Sequence, residues 1–218
     1  MQAAIGERLA VVHDRVRAAG GDPAKIRLVA VTKGFSVDVV RSAVAAGLVE
    51  VGESYAQELE AKAADVDGAR WHFVGRIQRN KVRRVAPLVA LWHGVDRLVA
   101  GAEIARRSPG AAVLVQVDVS GEPQKGGCAW DDVPRLVDEL GGLDLDVRGL
   151  MAVGPRGPAE RSRPAFRRVV LLAERLGLPE RSLGMSGDLE VAVQEGATTV
   201  RIGTALFGPR APVEGVGH

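Results

Sequence analysis

Short apolar runs alternate along this chain with segments in which apolar residues recur at helical spacing. The first helical segment is predicted over 2–19, where Ile5, Leu9, Val12 and Val16 share one face. Eight apolar runs follow, at 28–32, 49–52, 71–75, 88–93, 113–119, 146–153, 182–185 and 199–202. A short apolar run that is buried on both faces is typical of a strand in a parallel sheet.

Each of these runs is followed by a helical segment, which implies right-handed βα units in an α/β fold. A length of 218 residues is near the lower limit for a closed (β/α)8 TIM barrel. An open doubly wound sheet is the alternative, but the chain lacks a Gly-x-Gly-x-x-Gly turn and a Walker-type phosphate loop. We therefore predict a single TIM barrel domain over 1–218, with its first helix at 2–19 and a frayed tail at 209–218.

Composition and charge exclude several classes of protein. With 46% hydrophobic and 26% charged residues the chain is of ordinary globular composition. A net charge of +2 with scattered arginines does not indicate a nucleic-acid surface. The single Cys128 excludes an internal disulfide and the four histidines show no metal-ligand spacing. No apolar run approaches the length of a signal or membrane segment. We expect a cytoplasmic protein without metal, membrane or nucleic-acid partners.

Lys33 stands directly after the first apolar run, at the end of a strand where α/β proteins collect their chemistry. Only five of the 29 basic residues are lysines. Lysine differs from arginine in that its amine can be deprotonated and made nucleophilic. Lys33 is therefore a candidate reactive amine, the alternative being an ordinary surface lysine. Lys125, in the Gly-rich loop 120–127, is the second candidate.

The turns after the last two strands are suited to phosphate. Ser186-Gly187-Asp188 and Gly203-Thr204 each offer a hydroxyl and accessible backbone amides, in the loops where barrels commonly bind phosphate. Either turn alone is an ordinary helix cap, but two on adjacent strands favour a phosphate site. Arg201 lies within the eighth strand, where a charge must pair with a carboxylate or face a ligand.

A closed barrel places the first strand beside the eighth, so that Lys33, Arg201 and both turns would meet one ligand. Pyridoxal 5′-phosphate (PLP) offers an aldehyde for lysine, a phosphate for the turns and a ring nitrogen for a donor. A sugar phosphate bound by a Schiff-base aldolase would use similar residues. The residues alone leave both ligands open.

Other polar residues allow smaller predictions. His72, between Trp71 and Phe73, is expected in the barrel interior and not in catalysis. Gln78, Asn80 and Lys81 either line the barrel mouth or form a solvated helical turn. Asp96 and one of Asp131 or Asp132 are expected to cap the helices that follow them.

Motifs distributed in order over nearly the whole chain carry a resemblance to one family. They are Val29-Ala30-Val31-Thr32-Lys33, Gly52-Glu53-Ser54-Tyr55, the run from Trp71 to Lys81, His93-Gly94-Val95-Asp96, Val119-Ser120-Gly121-Glu122, Gly149-Leu150-Met151, Gly184-Met185-Ser186 and Val200-Arg201-Ile202-Gly203-Thr204-Ala205. The chain resembles the pyridoxal phosphate homeostasis protein family, also called the YggS or proline-synthase co-transcribed family.

The resemblance implies a barrel like the N-terminal domain of alanine racemase, with PLP as its cofactor. Lys33 would form a Schiff base with it, and Arg201 would face the pyridine nitrogen. Ser186, Gly203 and Thr204 would hold the phosphate. Ser54 would lie near the ring hydroxyl, at a position where the family usually has Asn.

The function implied is intracellular PLP homeostasis, as a carrier or regulator of the cofactor without robust turnover of its own. An arginine at the ring nitrogen leaves that nitrogen unprotonated and disfavours carbanion chemistry. Amino acids and apo-enzymes would be transient partners, and we expect a monomer or a weakly associating dimer. A small PLP-dependent amino-acid racemase of the same fold is the alternative.

Overall fold

The computed structural model describes residues 1–122 and 124–209, so that the predicted tail lies outside the described residues from position 210 onward. Eight parallel strands close into a barrel, in which each strand pairs with its sequence neighbours and the last pairs with the first. The strands are β1 (Arg27–Val31), β2 (Glu50–Glu53), β3 (Arg70–Phe73), β4 (Val89–Val95), β5 (Ala112–Gln116), β6 (Asp146–Met151), β7 (Glu180–Ser182) and β8 (Thr199–Ile202). The predicted (β/α)8 TIM barrel is confirmed.

Helices lie on the outside of the barrel. They are α1 (Gln2–Ala18), α2 (Val37–Ala45), α3 (Ala56–Ala63), α4 (Arg79–Val85), α5 (Leu98–Arg107), α6 (Val133–Gly141), α7 (Arg163–Arg175), α8 (Leu189–Gln194) and α9 (Thr204–Phe207). Helices α2 to α8 connect successive strands, α1 precedes β1 and α9 follows β8. Short 3₁₀ segments at Trp130–Asp132 and Ala159–Ser162 precede α6 and α7. Over residues 1–122 and 124–209, no helix combines the length and apolar character required to cross a membrane.

The barrel closes between β1 and β8. Leu28 lies opposite Val200 and Val29 opposite Arg201 on one side of β1, while Ala30 lies opposite Val51 on the other. The open doubly wound sheet is therefore excluded, because its edge strands would lack such a pairing. Closure brings the end of β1 beside the turns that follow β7 and β8.

Two groups of apolar residues form the core. The larger group fills the layer between the strands and the helices. The smaller consists of Leu91, Ala112, Leu114 and Met151. Side chains two residues apart on a strand share a face, and His93 reaches Ser182 on the opposite side of the barrel. Leu91 therefore points into the barrel, and the smaller group fills part of its interior.

Strands β1, β3, β5, β6 and β7 end earlier than predicted, and the ends of β5 and β7 have a local reason. The chain folds back after β5: Val117 pairs with Cys128, and the Cys128 amide donates to Gln116 O at 2.7 Å. β7 ends at Ser182 and not at 185, because Gly184 adopts a left-handed conformation (φ +84°) that takes the chain out of the strand. Apolar residues beyond the end of a strand therefore extend the apolar run in the sequence but do not belong to the strand in the structure.

The prediction that Asp96 caps a helix is wrong, whereas Asp132 occupies the predicted N-cap position without making the capping hydrogen bond. The residue before α5 is Arg97, and Asp96 instead pairs with Arg97 at 2.5 Å. Asp132 stands before α6 but makes no capping hydrogen bond, and its carboxylate binds Arg135 at 2.9 Å. In both places an arginine within three residues offers a charged partner, which competes with the backbone amides for the carboxylate.

Candidate functional site

A cavity of about 380 Å³ opens at the carboxyl ends of β1, β2, β7 and β8, and we call it the Lys33 cavity. All six residues predicted for the cofactor line it: Lys33, Ser54, Ser186, Arg201, Gly203 and Thr204. The remaining wall is apolar apart from Gly187, and no carboxylate lines the cavity among the described residues. Its volume is typical of a small-molecule site.

The two turns at one end of this cavity are joined to each other. Ser186 Oγ accepts a hydrogen bond from the amide of Ala205 at 3.2 Å, which links the turn after β7 to the turn after β8. Asp188, the acidic member of the first turn, faces elsewhere: its carboxylate accepts from the Met185 amide at 2.7 Å and from Ser162 Oγ at 3.1 Å. Donors remain at the cavity and the negative charge is kept out of it, as an anion requires.

Arg201 is buried, with 4% of its surface exposed. Its guanidinium donates to Ser182 O at 2.7 Å, to Ser182 Oγ at 2.6 Å and to Ala152 O at 2.8 Å. Burial lowers the pKa of Arg201 to about 10, so that it remains a cation at neutral pH. No carboxylate pairs with it among the described residues, so the first of the two predicted alternatives, an ion pair, does not apply. The side chain lines the Lys33 cavity.

A chain of hydrogen bonds connects Arg201 to the opposite end of the barrel. His93 lies 2.9 Å from Ser182 Oγ and 2.9 Å from His72. His72 Nε2 lies 2.5 Å from the Glu50 carboxylate, and the prediction that His72 is an interior residue is confirmed. Burial, together with nearby positive charges, lowers the pKa of His93 well below its ordinary value. A neutral His93 donates through one ring nitrogen and accepts through the other.

One arrangement of protons satisfies this whole chain. Arg201 donates to Ser182 Oγ, and the Ser182 hydroxyl donates to His93 Nδ1. His93 Nε2 then donates to His72 Nδ1, and His72 Nε2 donates to Glu50. The orientation of the guanidinium is therefore fixed by residues on four strands.

The hydrogen bond from His72 to Glu50 predicts that the stability of the protein depends on pH. Burial would raise the pKa of Glu50, but the hydrogen bond from His72 and the charge of Arg70 outweigh it, and the pKa lies below its ordinary value. Such a carboxylate stabilises the fold above the pKa of an unfolded glutamate, and the contribution is lost as pH falls through the folded value. Glu50→Gln should lower stability at pH 7 by about 1 kcal/mol, the size of a partly exposed ion pair.

Urea unfolding of both proteins at pH 7, 5, 4 and 3 measures this effect. We expect the difference between wild type and Glu50→Gln to shrink towards pH 3. Glu7→Gln, in the exposed face of α1, serves as the control and should match wild type throughout. A difference that stays constant from pH 7 to pH 3 would contradict the assignment.

Buried charges hold the backbone on both sides of Lys33. Lys62, on α3, is 7% exposed and donates to the carbonyl of Thr32 at 2.9 Å. It also binds Glu53 at 2.7 Å and Glu58 at 2.8 Å. We call Lys62, Glu53 and Glu58 the Lys62 brace.

The brace reaches Lys33 from both sides along the chain. Glu53, fully buried at the end of β2, accepts from Thr32 Oγ1 at 2.6 Å. Glu58 accepts from the amide of Gly34 at 2.8 Å. Burial raises the pKa of Glu53, against the hydrogen bonds from Lys62 and Thr32. The residues immediately before and after Lys33 are thus fixed by the same three charged groups.

A second cavity, of about 370 Å³, adjoins the first and is called the side cavity. It shares Lys33, Ser54, Val74 and Val153 with the Lys33 cavity. Its further polar lining residues are Tyr55, Gln57, Arg76, Gln78, Lys81, Gln116, Gln124 and Lys125. Of the three residues predicted for either the mouth or a solvated turn, Gln78 and Lys81 line this cavity, whereas Asn80 faces a separate surface depression.

Sequence reasoning missed the residues that support the site. No role is predicted for Glu53, Lys62, His93 or Ser182, although Glu53 and His93 stand in the motifs that carry the resemblance. Two signals were present: Glu53 is a carboxylate at the end of an apolar run, and Glu58 and Lys62 have the i, i+4 spacing of a helical ion pair. Among residues 1–122 and 124–209, no group of three or more potential metal ligands occurs.

Comparison with known proteins defines the class. The family model for the alanine racemase N-terminal domain matches residues 3–211. Alanine racemase from Corynebacterium glutamicum has a similar fold, with a TM-score of 0.73 at 18% identity over 99% of this chain and 63% of that one. The barrel is therefore of the alanine racemase N-terminal type.

Proteins of higher sequence identity to this chain identify its family within the alanine racemase N-terminal class. The pyridoxal phosphate homeostasis protein of Pseudomonas aeruginosa is 46% identical, over 94% of this chain and 96% of that protein. The structure of PipY from Synechococcus elongatus PCC7942, solved with PLP bound, has a TM-score of 0.82 at 31% identity, over 94% of this chain and 100% of that one. This chain belongs to the pyridoxal phosphate homeostasis protein family, and the resemblance drawn from its motifs is confirmed.

Proposed function

We propose that this chain is a single-domain PLP-binding protein of intracellular PLP homeostasis, which carries or regulates the cofactor without robust turnover of its own. The observation that carries the proposal is the composition of the Lys33 cavity: one amine, one guanidinium and two donor-bearing turns line it, and none of its lining residues within 1–122 and 124–209 is a carboxylate. The relatives named for PLP homeostasis, and PipY with PLP bound, support the same ligand.

The residues present fit the cofactor. The turns at Ser186 and at Gly203-Thr204 would hold the phosphate through hydroxyls and backbone amides. Gly203 allows the turn after β8 to lie close to β1, since a Cβ there would lie 3.2 Å from Val31 O. Arg201, oriented by Ser182 and Ala152, would face the ring nitrogen. Ser54 would lie near the ring hydroxyl, and Lys33 would hold the aldehyde as a Schiff base.

When bound, the cofactor supplies an aldehyde carbon whose linkage to one amine exchanges reversibly with another. Lys33 is held for this by the Lys62 brace. Exposed side chains surround the site, with Tyr55 57% and Met185 38% exposed. An open mouth of this kind supports exchange with amino acids or with apo-enzymes as transient partners.

A carrier role is favoured over racemisation by the ionisable groups available. Racemisation requires two acid/base groups on opposite sides of the substrate. Lys33 and Arg201 are the only titratable side chains among the described residues that line the Lys33 cavity. Arg201 remains a cation and cannot act as a base near neutral pH. Tyr55 lines only the side cavity.

Absorption spectra of the purified, cofactor-loaded protein test the proposal. Wild type should show the visible band of a lysine Schiff base, Lys33→Ala should lose it, and the exposed Lys25→Ala should keep it. An unchanged band in Lys33→Ala contradicts the assignment, and loss in Lys125→Ala instead would identify Lys125 as the amine.

Two further measurements separate the alternatives. Steady racemisation of single-enantiomer amino acids, followed by optical rotation, would favour the racemase. A colourless protein in which borohydride traps a sugar phosphate on Lys33 would favour the aldolase.

We also propose the cytoplasm as its place of action and a monomer or weak dimer as its state. The single cysteine, Cys128, is buried, and burial raises the pKa of its thiol to about 11, which keeps it unreactive.

Analytical ultracentrifugation measures the oligomeric state, and a tight dimer would contradict that part of the proposal.

A further inference from the structure

The side cavity is strongly biased in charge. Four cationic residues line it, namely Lys33, Arg76, Lys81 and Lys125, and no carboxylate does so among the described residues. The cavity occupies the carboxyl ends of β2 to β6, on the opposite side of Lys33 from the turns at Ser186 and Gly203. A cleft lined by charge of one sign raises the local concentration of ions of the other sign.

The four cations are not equally compensated. Lys125 donates to Glu122 at 2.5 Å and to Gly154 O at 2.8 Å. Its charge is therefore largely compensated by Glu122 of the same loop. Lys81, in the first turn of α4, is half-buried and forms no ion pair with the described residues. Arg76 also lacks an ion pair there but is exposed to solvent. Lys81 is therefore the cation best placed to bind an anion at reduced solvent screening.

Neutral donors complete the wall. Gln57, Gln78, Gln116 and Gln124 line the same cavity, and a glutamine amide can both donate and accept. Gln116 is 6% exposed and is positioned by a bond from its Nε2 to Lys125 O at 2.8 Å. One ammonium with several amides suits a carboxylate, whose oxygens accept several hydrogen bonds.

The side cavity also meets the Lys33 cavity at Lys33 itself, because Lys33, Ser54, Val74 and Val153 belong to both walls. A molecule bound in the side cavity with its carboxylate at Lys81 can therefore extend towards Lys33, since both side chains line this cavity. A compound that carries both a carboxylate and a primary amine matches this arrangement.

We propose that the side cavity binds the carboxylate of a free amino acid, with Lys81 as its main cation, and so presents the amine of that compound towards Lys33. The proposal rests on the proposed function in one respect, that the amine has a use there only if the Lys33 cavity holds an aldehyde. The carboxylate site itself depends only on residues of this chain.

Calorimetric titration of the cofactor-free protein tests the site with a probe that has no free amine. N-acetyl-L-alanine should bind, and its neutral amide should bind about tenfold more weakly or worse, because the amide lacks the charge that pairs with Lys81. Lys81→Gln should weaken binding of the carboxylate by a similar factor without affecting the amide. Arg83→Gln, on the same helix but outside the side cavity, is the matched control and should leave both affinities unchanged.

Equal binding of the carboxylate and the amide, or an unchanged affinity in Lys81→Gln, would overturn the proposal. Inorganic phosphate is the competing anion, and displacement of the probe by phosphate at much lower concentration would reassign the cavity to phosphate. All titrations are made at one ionic strength, since exposed charge pairs are screened by salt.

A second arm uses the cofactor-loaded protein. The concentration of L-alanine that releases the cofactor should rise about tenfold in Lys81→Gln, whereas that of L-alaninamide should not change. The two proposals can fail separately. Absence of the visible band from the cofactor-loaded wild type overturns the proposed function and leaves the calorimetric result standing, whereas failure of the titration leaves the Schiff base untouched.

Discussion

Lys62→Met is expected to lower the free energy of unfolding by about 3–5 kcal/mol, the usual cost of removing one partner of a buried ion pair. Glu53 is fully buried and Lys62 is its only cationic partner among the described residues. The second carboxylate oxygen of Glu53, Oε2, is buried and already lacks a hydrogen-bond partner among the described residues. Without Lys62 the charge of Glu53 loses its compensation, and Thr32 O loses one of its donors and keeps the Phe35 amide.

The double variant Glu53→Gln/Lys62→Met separates the loss of compensation from a loss of packing. Removing both charges removes the uncompensated carboxylate, so the double variant should be more stable than Lys62→Met alone. Urea unfolding of wild type, Lys62→Met, Glu53→Gln and the double variant gives the four free energies of the cycle. The exposed Lys25→Met is the control and is expected to stay within about 0.5 kcal/mol of wild type. Additive losses in the double variant would contradict the role given to the brace.

The brace also predicts an effect on Lys33. In the double variant Thr32 and Gly34 are held less firmly, since Lys62 no longer donates to Thr32 O or orients Glu58. The folded double variant should therefore bind PLP more weakly than wild type in an equilibrium titration. A change of stability with unchanged PLP affinity would show that the brace serves the fold alone.

Gly75→Ala should destabilise the protein by about 1–3 kcal/mol or more, because it forces atoms into a site without room. A Cβ at Gly75 would lie 2.2 Å from Ser54 O and 2.7 Å from Ser54 Cα, so that the loops after β2 and β3 are in backbone contact. The backbone must move to admit a methyl group, and Ser54 lines both cavities. PLP affinity should fall together with stability.

Gly6→Ala is the matched control for this substitution. Gly6 lies within α1 and a Cβ there would meet nothing within 4 Å. Alanine is favoured over glycine in a helix interior by about 0.5–1 kcal/mol, so this variant should be more stable than wild type with unchanged PLP affinity. Thermal unfolding and PLP titration of both variants make the comparison. A neutral Gly75→Ala would show that the two loops separate without cost.

The sequence predicts those parts of the molecule that depend on patterns along the chain. The barrel follows from eight apolar runs, since a buried strand must be apolar on both faces. Most of the candidate cofactor residues are predicted for a related reason: Lys33, Ser186, Gly203 and Thr204 follow strands, and closure brings those strand ends together. Ser54 was a candidate only through the family resemblance. Lys33 and Arg201 were singled out because a charge at the end of, or within, an apolar run requires an explanation.

What the sequence does not predict depends on contacts between side chains of different elements. The sequence indicates only an ordinary helical lysine at position 62. The burial of Lys62 depends on how α3 packs over the ends of β1 and β2. His93 and Ser182 lie on strands β4 and β7, and nothing in either segment indicates that the two meet across the barrel. Asp96 fails as a cap because the adjacent arginine competes for it. Contacts of this kind, between side chains of different elements, form only when the chain folds.

The pairing of β1 with β8 has a consequence for the order of events during synthesis. Lys33 emerges early, whereas Ser186, Arg201 and Thr204 come from the last part of the chain, and contacts at such large sequence separation form slowly. A nascent chain thus carries Lys33 for most of translation without the turns at Ser186 and Thr204 that would hold the phosphate of PLP. Cofactor uptake should consequently mark completed molecules, and a ribosome-bound chain stalled before β8 should bind none.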